Sequence, residues 1–333
     1  MVRRWLADIL RWGPVHRFIG FLKVLRLPGF EGLPAYDVLA FFIKGIQKGS
    51  LKTRASSVAF NFLLAVFPAI IFFFTLIAYI PVDGFQDLLL DMMSRLMPTE
   101  AYLTVKETVE DIIMRQRTGL LSIGFISALY FSTNGVNSLI DSFNATSHAV
   151  ETRTAFLQQA VSLAITIVLS LVLLVAIALT LTTEFGLSYL LEKGLLRDGI
   201  AVVSIESARW LIILMLMFVG ISLLYFLGPA RRTEWRFLSA GSTLATVLTV
   251  ITSLGFSYFV ENFNSYNRLY GSIGTLIIVM LWMYYNSLAL IIGFELNASI
   301  EDAKLDVLAR RDRSLGLSLE DEIEHGGDRD STQ

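Results

Sequence analysis

Ser127, Tyr130, Asn134, Asn137, Asp141 and Asn144 recur at spacings of 3, 4, 3, 4 and 3, and His148 follows four residues later. That spacing keeps them on one face of a helix. Leu129, Phe131, Val136, Leu139 and Ile140 fill the rest of it. Amides and a carboxylate on one stripe can hydrogen-bond neighbouring helices, or they can wet a cavity that binds a cation, a proton or a polar head group. Other polar residues fall where the chain is otherwise apolar: Asn61, Asn286, Glu295 and Asn297. Trp282, Asn286, Gly293 and Asn297 share one face of their segment, with Tyr284 and Glu295 on another, so neighbours are expected to enclose that helix. Both readings of the set Asn61, Tyr130, Asn134, Asn137, Asp141, Asn144, Asn286, Glu295 and Asn297, packing and cavity, stand at this point.

The segments that must position these residues are hydrophobic. Of 333 residues 54% are hydrophobic and 17% charged, against about 25% charged in soluble domains, which excludes a soluble globular chain. Six stretches reach the roughly 20 apolar residues of a spanning helix: about 55–80, 119–141, 157–182, 209–228, 237–260 and 272–297. The expected fold is an all-α polytopic membrane protein, a six-helix bundle flanked by amphipathic interfacial helices. It divides into an interfacial segment 1–54, a transmembrane domain 55–298 and a charged tail 299–333, disordered from about Glu320.

Basic residues set the orientation. With the N-terminus inside, 19 of the 27 Lys and Arg lie on the cytoplasmic side, as the positive-inside rule favours, and both termini are cytoplasmic. Trp5, Leu6, Ile9, Leu10 and Trp12 read as one amphipathic helix on the inner leaflet, and Tyr36–Gly49 as a second, with Val38, Leu39, Phe42, Ile43 and Ile46 on its apolar face. Their lysines and arginines suit anionic lipids. Pro81–Thr118 is expected to form two amphipathic helices over the outer mouth, and Leu187–Ala208 a smaller version. Ser239, Ser242, Thr246, Thr249 and Ser253 are spaced for close helix packing, and Pro68 for a kink.

Enzyme chemistry finds little support. HExxH, GxSxG, Walker A and dinucleotide-binding glycine patterns are absent, so no catalytic residue, metal or cofactor is assigned. The chain has no cysteine, which excludes disulfides and thiol catalysis. A net charge of −2 gives no global field for nucleic acid.

Three stretches carry a resemblance: Ala55–Pro68 (ASSVAFNFLLAVFP), Ser132–Asn144 (STNGVNSLIDSFN) with His148, Glu151 and Arg153 after it, and Tyr266–Ala298, containing YGSIGTLIIVMLWMY and GFELNA. Over about residues 35–300 the chain resembles the YihY/virulence factor BrkB family of bacterial inner-membrane proteins. Where that family often has a Trp, this chain has Tyr130–Phe131. The resemblance implies six spans and an inner-membrane location. It implies no agreed activity: the label ribonuclease BN is regarded as mistaken, and some members are linked to virulence, serum resistance or export of envelope lipids. The leading expectation is a transporter or lipid-handling permease with a polar, cytoplasm-facing cavity. A non-transporting membrane scaffold comes second and an enzyme third.

Overall fold

The computed structural model describes residues 13–27, 29–48, 50–81, 85–96, 99–146, 151–193, 199–230, 239–261 and 272–326. Among these the structure is helical. Two short helices, α1 (Gly13–Val24) and α2 (Ala35–Lys48), precede the first span, α3 (Leu51–Ile77). Then come α4 (Phe85–Leu96), α5 (Thr99–Met114), α6 (Thr118–Thr146) and α7 (Ala155–Glu192). The chain closes with α8 (Ile200–Leu227), α9 (Ala240–Glu261) and α10 (Ser272–Gly326). Six of them, α3 and α6 to α10, are long and apolar enough to cross a bilayer. All six expected spans are present, and α4 and α5 supply the two expected amphipathic helices after the first.

Several boundaries differ from expectation. Residues 187–208 do not form a separate interfacial pair: α7 runs on to Glu192 and α8 begins at Ile200. The apolar run gives way to polar residues at Thr183 and Glu184, and a helix with satisfied backbone bonds has no need to stop there. Of the tail expected to be disordered from about Glu320, α10 takes in the part through Gly326, and residues 327–333 lie outside the described residues. The helix expected around Trp5–Trp12 lies outside the described residues. In α2 the buried face is turned from the expected one. Ala35 and Val38 are buried and Phe41 and Phe42 pack beside them, whereas Ile43 is exposed.

Each span touches the next, and the last touches the first, so the six helices form a closed ring. We call the end where α3 begins and α10 leaves the bundle proximal, and the other distal. The joint between α3 and α6 is tight along its length. Gly124 lies against the Phe72 backbone, Gly135 against the Phe62 ring, and the Tyr79 and Thr118 hydroxyls meet at 3.0 Å. At the distal end the Gln86 and Gln116 side-chain amides donate to the Ile77 and Ala78 carbonyls, which ties the amphipathic segment to the end of α3.

Burial is lopsided. In α7 no described residue beyond Thr166 is buried, in α8 none before Gly220, and in α9 none beyond Ala245. The buried core sits in the proximal half, around Val58, Leu139, Ile140, Phe143, Ile165, Leu224, Tyr225, Ile291 and Phe294. Phe143 stacks on Phe294 with centroids 4.4 Å apart, and Tyr225 meets both rings edge-on. The Tyr225 hydroxyl donates to the Leu290 carbonyl at 2.6 Å. A second cluster joins Phe30, Leu33, Ala35 and Val38 to Leu296, Ile300 and Ala303, docking α2 on α10. Its turn needs left-handed backbone at Gly29 (φ 91°) and Gly32 (φ 78°), which glycine adopts without strain.

Candidate functional site: the proximal polar seal

The polar stripe of α6 meets the first two turns of α7. Asn137 Oδ1 accepts from Gln158 Nε2 at 2.9 Å and from Ser162 Oγ at 3.1 Å. The same Gln158 amide reaches Asp141 Oδ1 at 2.8 Å, and Gln159 donates to Asn134 Oδ1 at 3.4 Å. Thr154 starts α7 as its N-cap, its side chain accepting from the Leu157 N–H, and this registers both glutamines against α6. On the other flank of α6, Ser138 receives the Asn61 side-chain amide at 2.7 Å, a link to α3.

Asn144, one turn beyond Asp141, is buried and reads two segments at once. Its Nδ2 donates to Glu151 Oε2 at 2.7 Å, and its Oδ1 accepts from the Ala230 N–H at 2.8 Å. Arg153 grips Glu151 through Nε (2.7 Å) and Nη2 (2.8 Å) and also donates to the Gly228 carbonyl at 2.8 Å. The ends of α6 and α8 and the start of α7 are thus clasped by one acid, one base and one amide. The hydrogen bonds from Arg153 hold the Glu151 carboxyl well below its ordinary 4.5, at about 2, with the Asn144 amide adding to them.

A group whose folded value is depressed contributes stability above its unfolded value and loses it as pH falls toward the folded one. The clasp is therefore expected to hold from neutral pH to about pH 4.5 and to weaken between there and pH 2. Limited proteolysis of the connection between α6 and α7 checks this. Glu151→Gln should already show at pH 7 the cleavage rate that the parent reaches only in acid.

Beside the clasp lies a second charged group. Arg54, at the start of α3, donates from Nη1 to the Ser142 carbonyl at 2.8 Å and to Thr146 Oγ1 at 2.7 Å. It interacts electrostatically with Glu295 of α10, which is only 6% exposed. Gly45 of α2 lies so close that a β-carbon there would collide with the Glu295 carboxylate. On the α9 side, Asn297 Oδ1 accepts from the Gly241 N–H at 2.7 Å and its Nδ2 donates to Ser239 Oγ at 3.0 Å. Ser239 also caps α9 by accepting from the Ser242 N–H.

Of the residues marked in the sequence, Asn61, Asn134, Asn137, Asp141, Asn144, Glu295 and Asn297 gather at this end, each joined to a neighbouring element. Two do not join them. Tyr130 is 57% exposed, against the edge of Phe131, and Asn286 donates to the Trp282 carbonyl of its own helix. The residues that complete the seal were not marked as site residues: Arg54, Glu151, Arg153, Gln158, Gln159 and Ser162. Adjacent amides at Gln158–Gln159, at the mouth of an apolar span and one loop after an amide stripe, were the available signal.

A profile of the family described as Virulence factor BrkB matches residues 42–314. YfkH of Bacillus subtilis (strain 168), which carries a ribonuclease-like name, is 31% identical over 255 residues, 76% of this chain and 91% of its own. A UPF0761 membrane protein of Psychromonas ingrahamii is 25% identical over 270 residues, 80% of this chain and 88% of its own. One from Histophilus somni (strain 2336) is 24% identical over 270 residues. No solved structure matches the chain. With that profile spanning the proximal seal and all six spans, this multi-pass membrane chain belongs to the Virulence factor BrkB family.

Proposed function

We propose that the protein is an inner-membrane permease for an amphiphile, closed at its proximal, cytoplasmic end and loosely packed distally. The observation that supports it is the lopsided burial. The ring is closely packed and hydrogen-bonded proximally, while no described residue in the distal halves of α7, α8 and α9 reaches full burial. A ring packed this loosely in one leaflet would admit a molecule laterally from lipid, which suits an amphiphile better than an ion. The seal residues then act as a gate. Parting α6 from α7 would uncover Asn134 and Asn137 beside the already exposed Asp141, and a wider opening that also moved α10 would add Asn61, Asn144, Glu295 and Asn297 to the polar cavity of the alternate state. Asp141 or Glu295 is the group for any coupled cation or proton. The lysines of α1 and α2, Lys23 and Lys44 among them, lie at this end, where the anionic cytoplasmic leaflet attracts them.

The absence of native cysteine makes the test direct. A disulfide between Asn134→Cys and Gln159→Cys should lock the gate and stop movement of a fluorescent short-chain phospholipid in proteoliposomes, with recovery on reduction. Equal flux in the locked and reduced states would sink the gate.

One observation favours a second reading, a membrane scaffold. The 55 residues of α10 span about 80 Å, far more than the roughly 30 Å of hydrocarbon. A helix standing off the membrane suits a docking arm. If removal of residues 311–333 abolished function while the locked gate did not, the scaffold would replace the permease.

A further inference from the structure

A distal arginine is left over by everything above. Arg209 is the one charged residue of α8 between Glu206 and the helix end. It lies 18 residues before Leu227, about 27 Å along the axis, which puts it at the distal edge of the hydrocarbon. Its Nε is buried and has no hydrogen-bond partner, and the guanidinium sits 5.7 Å from the centre of the Trp210 ring. Among the described residues neither Glu206 nor Glu184 forms an ion pair with it. A half-buried guanidinium whose Nε has no hydrogen-bond partner among the described residues, and which pairs with neither of those acids, is free to take an anion from outside the chain.

Next to it is room for the rest of such a molecule. Ala176, Ile177, Thr180 and Leu181 of α7 and Ile213 of α8 line a cavity of about 200 Å³. Ile213 is one turn deeper than Arg209 on the same face of α8. Side chains lean toward a helix N-terminus, so Arg209 reaches outward to the headgroup level while Ile213 faces the slot. Trp210, 59% exposed, sits beside it as interfacial tryptophans do. The order from surface to depth is a planar cation, an aromatic ring and an apolar cleft.

We infer that α7 and α8 form a binding site for a phosphate-bearing lipid of the distal leaflet, its phosphodiester on Arg209 and the start of an acyl chain between Ile177 and Ile213. Arg209 takes phosphate because its fork offers parallel donors to two oxygens. The site deepens the permease reading and rests on it for its role. Occupancy itself is measured apart from flux.

Native mass spectrometry of the purified full chain, titrated with phosphatidylglycerol, phosphatidylethanolamine or diacylglycerol, tests the site. Both phospholipids should be retained at least tenfold better than diacylglycerol. Arg209→Gln should lower their retention about tenfold and Arg209→Lys less, while Arg115→Gln in the distal loop should change nothing. Ile213→Trp fills the cleft and should displace lipid with the arginine intact, and it decides the matter if Arg209→Gln does not fold. Equal retention of diacylglycerol, or undiminished phospholipid in either Arg209→Gln or Ile213→Trp, overturns the site. Lipid bound through Arg209 without flux in proteoliposomes leaves the site standing and removes the permease.

Discussion

Arg54→Ala should cost the protein about 3–5 kcal/mol, the usual penalty for stripping one partner from a buried charge. The guanidinium does three things at once. It ties α3 to the Ser142 carbonyl and the Thr146 hydroxyl of α6, and it faces Glu295 of α10. Its loss removes one of the groups that balance the buried Glu295 carboxylate, against which Gly45 lies close. Unfolding in a detergent and denaturant series should show the loss as a lower midpoint at unchanged slope. The double change Arg54→Met with Glu295→Leu should recover much of it, because removing both charges also removes the desolvation cost. If the double variant is no better than Arg54→Ala, the two groups are not coupled.

Gly293→Ala is the second large effect. A β-carbon at 293 would fall 2.6 Å from the Ala245 β-carbon, the Gly241 carbonyl and the Tyr225 hydroxyl together. Two of those three groups belong to the backbone or first side-chain carbon of α9, so the neighbour has no rotamer to give. The helices must separate, and overpacking of this kind costs about 1–3 kcal/mol or more. Separation would also stretch the Asn297 bond to the Gly241 N–H and the Tyr225 bond to the Leu290 carbonyl. Gly255→Ala in the same helix pair meets nothing within 4 Å and serves as the control. A thermal shift in detergent should fall clearly for Gly293→Ala and stay level for Gly255→Ala.

Much of the membrane architecture was legible because each span announces itself by composition, independently of its neighbours. The α6 stripe was legible too, since a helix repeats every 3.6 residues and the amides at 134, 137 and 144 and the carboxylate at 141 must share a face. Its partners were not. Which surface receives Asn137 depends on where Gln158 and Ser162 arrive after a connection, and that is decided by packing. Arg54 shows the same limit. Read alone it is one more basic residue before a span, and only the ring closure that brings Ser142 and Glu295 to it gives it a task. The misread ends of α7 and α8 have a different cause. Polarity marks where the hydrocarbon stops, and helices pass that mark freely. In α2 an amphipathic face was correctly expected, but its partner is the protein surface of α10 as well as lipid, which rotates the buried side toward Val38 and Phe41.

The docking of α2 on α10 bears on how the chain is made. Phe30, Leu33 and Val38 emerge from the ribosome early, and Leu296, Ile300 and Ala303 come some 260 residues later. Synthesis at about 5–20 residues per second separates them by tens of seconds. During that interval α3 and α6 can already pair through their close joint, while the start of the chain waits with its apolar face uncovered. Ring closure is then the last act of biogenesis, made by the final transmembrane helix as it leaves the insertion machinery. A chain cut short before residue 272 would hold five spans and lack the α10 side of the seal, with Glu295 and Asn297, which is the form that membrane quality control should find first.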